Sequence, residues 1–137
     1  MQQTESDTAR VVVISSSEGR IVVSIPHTEY EVELTIGPGG AAKALVGKHI
    51  RGVVHARALK MHRATAGGVF IEPVHGHPRS VQGRILATDI VNNKVLAHVV
   101  LPMWVSVPQG QAASDFSTGD LVNFYVESGT TFTPTAG

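Results

Sequence analysis

The sequence predicts an all-β protein, and three observations carry this prediction. Short apolar, β-branched runs recur along the chain, separated by Gly, Pro, Asn and Ser. Residues Tyr30–Ile36 alternate strictly between apolar and polar side chains, which is the pattern of a half-buried strand. The stretch Arg84–Pro108 contains three apolar runs, and Asn92 and Asn93 join the first two. Because Asn tolerates positive φ, this pair predicts a tight primed turn between antiparallel strands.

The first part of the chain is assigned in order from the same signals. Residues 1–9 are polar, lack periodicity and are predicted to form a disordered leader. Strands are then predicted over Val11–Ile14, Arg20–Ile25 and Tyr30–Ile36. The glycine-rich stretch Gly37–Leu45 is predicted to be a plain loop, because it lacks the Gly-Lys-Ser/Thr ending of a phosphate-binding P-loop.

Residues 49–63 allow two interpretations, strand or helix. A strand would place Arg51, Arg57 and Arg63 on one face. A helix would form an apolar stripe from Ile50, Val54, Ala58 and Met61. We favour a long, bent strand that leads through a Gly-Gly turn into a return strand, Val69–Glu72, which Pro73 ends.

The second part of the chain continues the β pattern. Val74–Arg79 is a His/Gly/Pro linker, and Gln109–Asp115 is predicted to be a loop. Strands are predicted over Leu121–Glu127 and over a short last run, Thr130–Thr133, which precedes Pro134.

The two parts of the chain follow one plan. At one constant offset Gly19–Ile25 aligns with Asn93–Val99 and Tyr30 aligns with Trp104. At a slightly smaller offset Gly47 aligns with Gly119, and Phe70–Pro73 resembles Thr131–Pro134 after a shorter connection. An internal duplication explains this order, although apolar strands also align by chance. We therefore predict a first β half at 10–78 and a second at 79–137, packed as one unit. A small Greek-key or OB-like barrel architecture suits this number of strands.

Composition excludes several classes of site. The chain has no Cys, which excludes disulfides, Cys-ligated zinc, iron–sulfur clusters and a thiol nucleophile. We predict no cofactor. The start of the chain lacks a signal-peptide pattern, and no apolar run approaches the length of a membrane span. The expected location is therefore cytoplasmic, with no membrane partner.

Charge is distributed unevenly along a chain that is neutral in total. Residues 1–42 carry two basic and six acidic side chains, a net −4, whereas residues 43–84 carry eight basic and one acidic, a net +7. Residues 85–137 carry one basic and four acidic side chains, a net −3. Five of the seven histidines also lie in the basic middle block. This asymmetry indicates a partner or an internal charge balance.

The basic block predicts anion binding. Arg51, Arg57, Lys60 and Arg63 lie in one predicted element, and such a row can follow the phosphates of a nucleic acid or another polyanion. Phe70 is the only aromatic residue between residues 31 and 103, so the aromatic residues that single-strand binders interleave with cations are missing. Alternatively, the block neutralises the acidic flanks, within the fold or between subunits of a homo-oligomer.

A histidine metal site is the rival hypothesis. His75 and His77 flank Gly76 on one side of an extended segment, and His55 and His62 precede them in the basic block. Three histidines, or two and a carboxylate, would leave a catalytic position open on zinc. Solvated linker histidines explain the same pattern, and no serine lies in a nucleophile motif. The sequence therefore favours a non-enzymatic binding or assembly module, with a metal-dependent enzyme as the alternative.

Overall fold

The computed structural model describes residues 7–36 and 45–135, which fold into one network of eleven hydrogen-bonded strands. The all-β prediction is confirmed. In chain order the strands are β1 (Ala9–Ser17), β2 (Arg20–Ser24), β3 (Glu31–Ile36), β4 (His49–Arg63), β5 (Phe70–Glu72), β6 (His75–Gly76), β7 (Ser80–Asp89), β8 (Lys94–Val99), β9 (Leu101–Ser106), β10 (Leu121–Val126) and β11 (Thr131–Pro134). A single 3-10 turn, Ala113–Asp115, interrupts the connection from β9 to β10.

Two predicted irregular segments fall mainly outside this description. Residues 1–6 of the predicted leader and residues 37–44 of the predicted loop lie outside the described ranges. The end of the leader differs from the prediction, because Ala9 opens β1 opposite Gly52 and is fully buried. Val11 and Val13 continue the same inward face of β1. The last residue of the predicted leader thus belongs to the buried core.

Strand β4 spans 49–63, as favoured over the helix. It pairs antiparallel with β1 at its start, with β11 in its first half and with β10 at its end, and it pairs parallel with β9 in the middle. Helix-forming residues such as Ala56 and Ala58 remain in the strand because backbone partners and buried neighbours outweigh intrinsic propensity. Strand β4 therefore pairs with four other strands from both parts of the chain.

The strand pairings form two circuits that share β4. The first circuit runs β1, β2, β3, β11, β4 and returns to β1. The second runs β7, β8, β9, β4, β10 and returns to β7. In each circuit one contact is parallel, β3 with β11 and β9 with β4. Each circuit thus takes one strand from the other half of the chain.

The two antiparallel meanders, β1–β2–β3 and β7–β8–β9, have a register shift at matching places. The pairing slips between Val13 and Ser15 on β1, and it slips between Ile85 and Ala87 at the corresponding place on β7. The partners of these residues on β2 and β8 are residues that the sequence alignment matches with each other. The short slip is a β-bulge, a feature that increases local twist.

The strand pairing differs from the sequence alignment of the two halves at two places. Ser24 faces Glu31, whereas its counterpart His98 faces Pro102, so the connection from β8 to β9 is shorter than the connection from β2 to β3. In this register Leu101, the residue before Pro102, corresponds to Tyr30, so the strand pairing does not reproduce the alignment of Tyr30 with Trp104. Strands β5 and β11 also differ in role, because β5 pairs with β7 whereas β11 pairs with β3 and β4.

The connection from β7 to β8 also differs from the predicted tight turn. Strand β7 ends at Asp89 and β8 begins at Lys94, so four residues form the turn. Only Asn93 of the asparagine pair has positive φ, at 55°. Asn92 instead binds the Asp89 carboxylate through its backbone N–H and its side-chain amide. Asp89, an acidic residue at the strand end, thus fixes the turn.

Candidate functional site

The four predicted anion-binding residues lie on β4, but they do not form one row. The register with β10 gains an extra residue between Ala58 and Met61, and both of these residues are buried although they are three apart. A bulge of this kind reverses the alternation of side chains. Arg57 therefore lies on the face opposite Ala58, whereas Arg63 is in phase with Met61.

Arg57 and Arg63 each have a carboxylate partner among the described residues. Arg57 Nε lies 3.3 Å from Glu127 Oε2. Arg63 Nε lies 3.2 Å from Asp120 Oδ2, and its guanidinium lies 5.5 Å from the centre of the Phe116 ring. Both arginine side chains are exposed, so each pair contributes little to stability. Part of the basic block therefore balances acidic residues of the last third of the chain, which the alternative interpretation anticipated.

Arg63 belongs to a small polar cluster at the start of β10. The backbone N–H of Ser117, and secondly the Arg63 guanidinium, hold the pKa of the Asp120 carboxyl below its usual value. Arg63 also donates to the backbone carbonyl of Asp115. These contacts fold the loop before β10 against the end of β4, so we assign Arg63 to local structure.

Arg51 has a cationic neighbour that lies far away in sequence. Arg10 on β1 stands directly opposite Arg51 on β4, as cross-strand Cα partners. Both side chains line a cavity of about 860 Å³, which we call the arginine groove. Its polar lining consists of Arg10, His27, His49, Arg51 and Thr135. Among the described residues that line the groove, none is acidic.

The second circuit has a neutral pair at the equivalent place. At the offset that relates the two β-bulges, Arg10 corresponds to Gln82 and Arg51 to Asn123, which are also cross-strand partners. The Asn123 side-chain amide donates to Gln82 Oε1 at 3.2 Å. Like charges directly opposite each other are destabilising, whereas a hydrogen-bonded amide pair is not. The two arginines are thus a specific property of the first circuit.

Two backbone conformations at the groove are unusual. His27, in the β2–β3 connection, has φ 67°, and Val100, in the β8–β9 connection, has φ 65°. Both residues line the arginine groove. A non-glycine residue rarely adopts positive φ, least of all a β-branched one, and such residues concentrate at functional sites. The β2–β3 connection and the β8–β9 connection therefore both contribute to the wall of this groove.

His55 lies in a separate, smaller cavity of about 240 Å³, together with Arg57, Lys94 and Glu127. Burial of the imidazole, and secondly the Lys94 ammonium, lower the pKa of His55, whereas Asp7 acts in the opposite direction. The neutral imidazole is thus favoured. Of the residues that line this cavity, Arg57 and Lys94 are cationic and Glu127 carries a carboxylate that pairs with Arg57, an arrangement that disfavours a metal cation.

The four predicted metal ligands do not converge: His55 and His62 both lie on β4, whereas His75 and His77 lie in and after β6. His62 is the β4 partner of Asn123, whereas His75 is in β6 and its Nε2 lies 3.2 Å from the Glu29 carbonyl oxygen. His77 lies in the connection from β6 to β7. Within residues 7–36 and 45–135 no group of three His, Asp or Glu is placed to hold a metal. The metal-dependent enzyme stays a prediction without a site in the described ranges.

Comparison with protein-family models, with curated proteins and with solved structures found no match to this chain. In the ranges that the structure describes, no helix is long and apolar enough to cross a membrane. Cytoplasmic location and homo-oligomer formation stay predictions.

Proposed function

We propose that this chain is a non-enzymatic anion-binding module and that the arginine groove is its binding site. The observation that carries the proposal is the cross-strand pair of Arg10 and Arg51. Two guanidinium groups on neighbouring strands can contact one anion together, and each suits bidentate contact with carboxylate or phosphate. The groove has the volume of a typical ligand site, and two imidazoles and a threonine hydroxyl add polar contacts.

A polyanion is the favoured ligand class. Lys60 is exposed farther along β4, and so is Arg57, which would have to exchange its contact with Glu127 for the ligand. The binding of a polyanion releases counterions and weakens with salt. Of the four residues predicted from the sequence, Arg51, Arg57 and Lys60 therefore remain in the proposed site, and Arg10 joins them in place of Arg63.

The architecture that we propose is two OB-like units that arose by duplication and exchanged their fifth strands. The strand order of each circuit and its one parallel contact support this proposal. The shared bulge and the matching partners on β2 and β8 support the duplication. Folds of this kind have many functions, so the functional proposal rests on the arginine groove and not on the architecture.

A double variant, Arg10→Gln with Arg51→Asn, tests the groove. It reproduces the Gln82–Asn123 pair of the second circuit, so we expect it to fold. On a heparin column it should elute at lower salt than the parent chain. Titration with a single-stranded oligonucleotide should give a slope of log affinity against log salt that is smaller by about 1.4, since two phosphate contacts are lost.

The control is Arg20→Gln, which removes an exposed arginine that pairs with Glu33 at the end of β2 away from the groove. It should leave heparin elution and the salt slope nearly unchanged. If the parent chain fails to bind heparin at low salt, or if both variants lose the same affinity, the proposed site is wrong.

A further inference from the structure

An exposed aromatic shelf lies on the second circuit, away from the arginine groove. Tyr125 on β10 is 66% exposed and Leu59 on β4 is 55% exposed. They line one side of a cavity of about 610 Å³, and Pro73, Pro78 and Arg79 line the rest together with polar neighbours. We call this surface the Tyr125 shelf.

The strand geometry explains why Tyr125 points outward. Phe124 and Val126 on either side of it face the core and are buried. The bulge of β4 lies directly across from Tyr125, between the partners of Phe124 and Val126, and exposes Leu59 and Lys60. Large rings normally dominate burial. The other six aromatic residues are buried or half-buried, so Tyr125 is the one aromatic side chain that is exposed.

Cations border the shelf. Arg79 lines it, and Lys60 is the chain neighbour of Leu59. Both side chains are exposed, and neither forms an ion pair with any residue in the described ranges. Glu72 is the acidic residue of the lining, on the side of Pro73. An open ring between two available cations is the arrangement that holds a base and its adjacent phosphates.

We propose that the Tyr125 shelf binds single-stranded nucleic acid, with a base stacked on the Tyr125 ring and phosphates contacting Arg79 and Lys60. This inference rests on the proposed function and names the polyanion. A proline-rich peptide is the other class of ligand for an aromatic surface, but such peptides dock in grooves lined by several aromatic rings. The shelf has one ring and two cations without ion pairs in the described ranges, which favours the nucleic acid.

The test is the affinity of the full chain for a fluorescent oligothymidine, measured by anisotropy at fixed low salt, with heparin as a polyanion that has no bases. Tyr125→Ala should weaken oligothymidine binding by about 5- to 150-fold, the effect of one lost base stack. Tyr125→Phe keeps the ring and should retain the affinity. Heparin elution should be the same for both variants and the parent chain.

Val91→Ala is the control, because it removes a 93% exposed apolar side chain in the β7–β8 turn and should change neither ligand. Equal oligothymidine affinity for Tyr125→Ala and the parent chain would overturn the shelf but leave the arginine groove in place. A proline-rich peptide that binds in a Tyr125-dependent way, while oligothymidine does not, would also overturn it. If heparin and oligothymidine both fail to bind, the proposed function itself is wrong.

Discussion

At the scale of single residues, the chemistry depends on neighbours that the sequence separates. Arg51 was predicted to bind anions together with its strand neighbours, yet its closest cationic partner in register is Arg10 on another strand. Arg57 and Arg63, which shared a face in the prediction, instead pair with Glu127 and Asp120. Charge counting locates a basic block, but only cross-strand register decides which charges meet.

The His55 environment gives a pH dependence at this scale. Burial first, and Lys94 second, lower the pKa of His55, whereas an unfolded histidine titrates at about 6.5. The unfolded chain therefore takes up the proton first as the pH falls. His55 should thus make the fold less stable as the pH drops from about 6.5 to the folded pKa, with no further loss below that pKa.

NMR titration of the His55 ring measures this directly, with an expected midpoint below about 6.5. Lys94→Gln removes the second cause and should raise the midpoint, whereas Lys48→Gln, ahead of the start of β4, should not. A His55 midpoint at or above the value of an unfolded histidine in the parent chain contradicts the assignment.

At the scale of elements, the end of β4 is held on one side by the Gln111 side chain instead of by a neighbouring strand. Just after the bulge, Met61 pairs with Phe124 on one side. On its other side the Gln111 side chain accepts from the Met61 N–H at 2.9 Å and donates to the Met61 carbonyl at 2.8 Å. Asn93 holds the Gln111 loop through its own amide, to Gln111 O and the Ala113 N–H. Three separate segments thus meet at the end of β4.

Gln111→Ala should lower the free energy of unfolding by about 1–3 kcal/mol, because it leaves two part-buried backbone groups of Met61 without partners. Urea unfolding measures the loss, and faster amide exchange at Met61 localises it. Gln111→Glu keeps the acceptor and loses the donor, so its loss should be intermediate. Gln109→Ala, at an exposed residue of the same loop, is the control. A Gln111→Ala variant as stable as this control would show that the contact does not stabilise β4.

At the scale of the whole molecule, the two halves of the chain are interlocked. Strand β11 completes the circuit of β1–β4, and the second part of β4 completes the circuit of β7–β10. Phe132 of β11 is almost fully buried, and its ring occupies the space beside Gly52 of β4. Each half without the other would expose unpaired strand edges and lose core side chains.

Neither residues 1–78 nor residues 79–137 should fold alone, whereas an equimolar mixture of the two fragments should recover a cooperative transition. Far-UV circular dichroism with heating checks this. A short Gly-Ser insertion after Thr65, in the connection that follows β4, should leave the full chain folded, since it removes no strand. If either fragment alone melts cooperatively, the two circuits are not interdependent.

The sequence by itself determined the local structure. Alternation in Tyr30–Ile36, β-branched runs and Gly or Pro interruptions depend on neighbours within a few residues, so most of the strands were predictable. Their bounds were less so, because β1 is longer than predicted, β6 lies in the predicted linker and β7 begins at Ser80. The long strand at 49–63 was also predictable, because the helical propensity of this segment is modest and its strand partners outweigh it.

Only the tertiary structure decided which strands meet. The pairing of β11 with β3 and β4, the bulge that separates Arg57 from Arg63 and the pairing of Arg10 with Arg51 all depend on contacts between residues far apart in the chain. A one-residue slip in register moves a side chain to the other face, and no local pattern records that slip. The positions of both proposed binding surfaces follow from those registers.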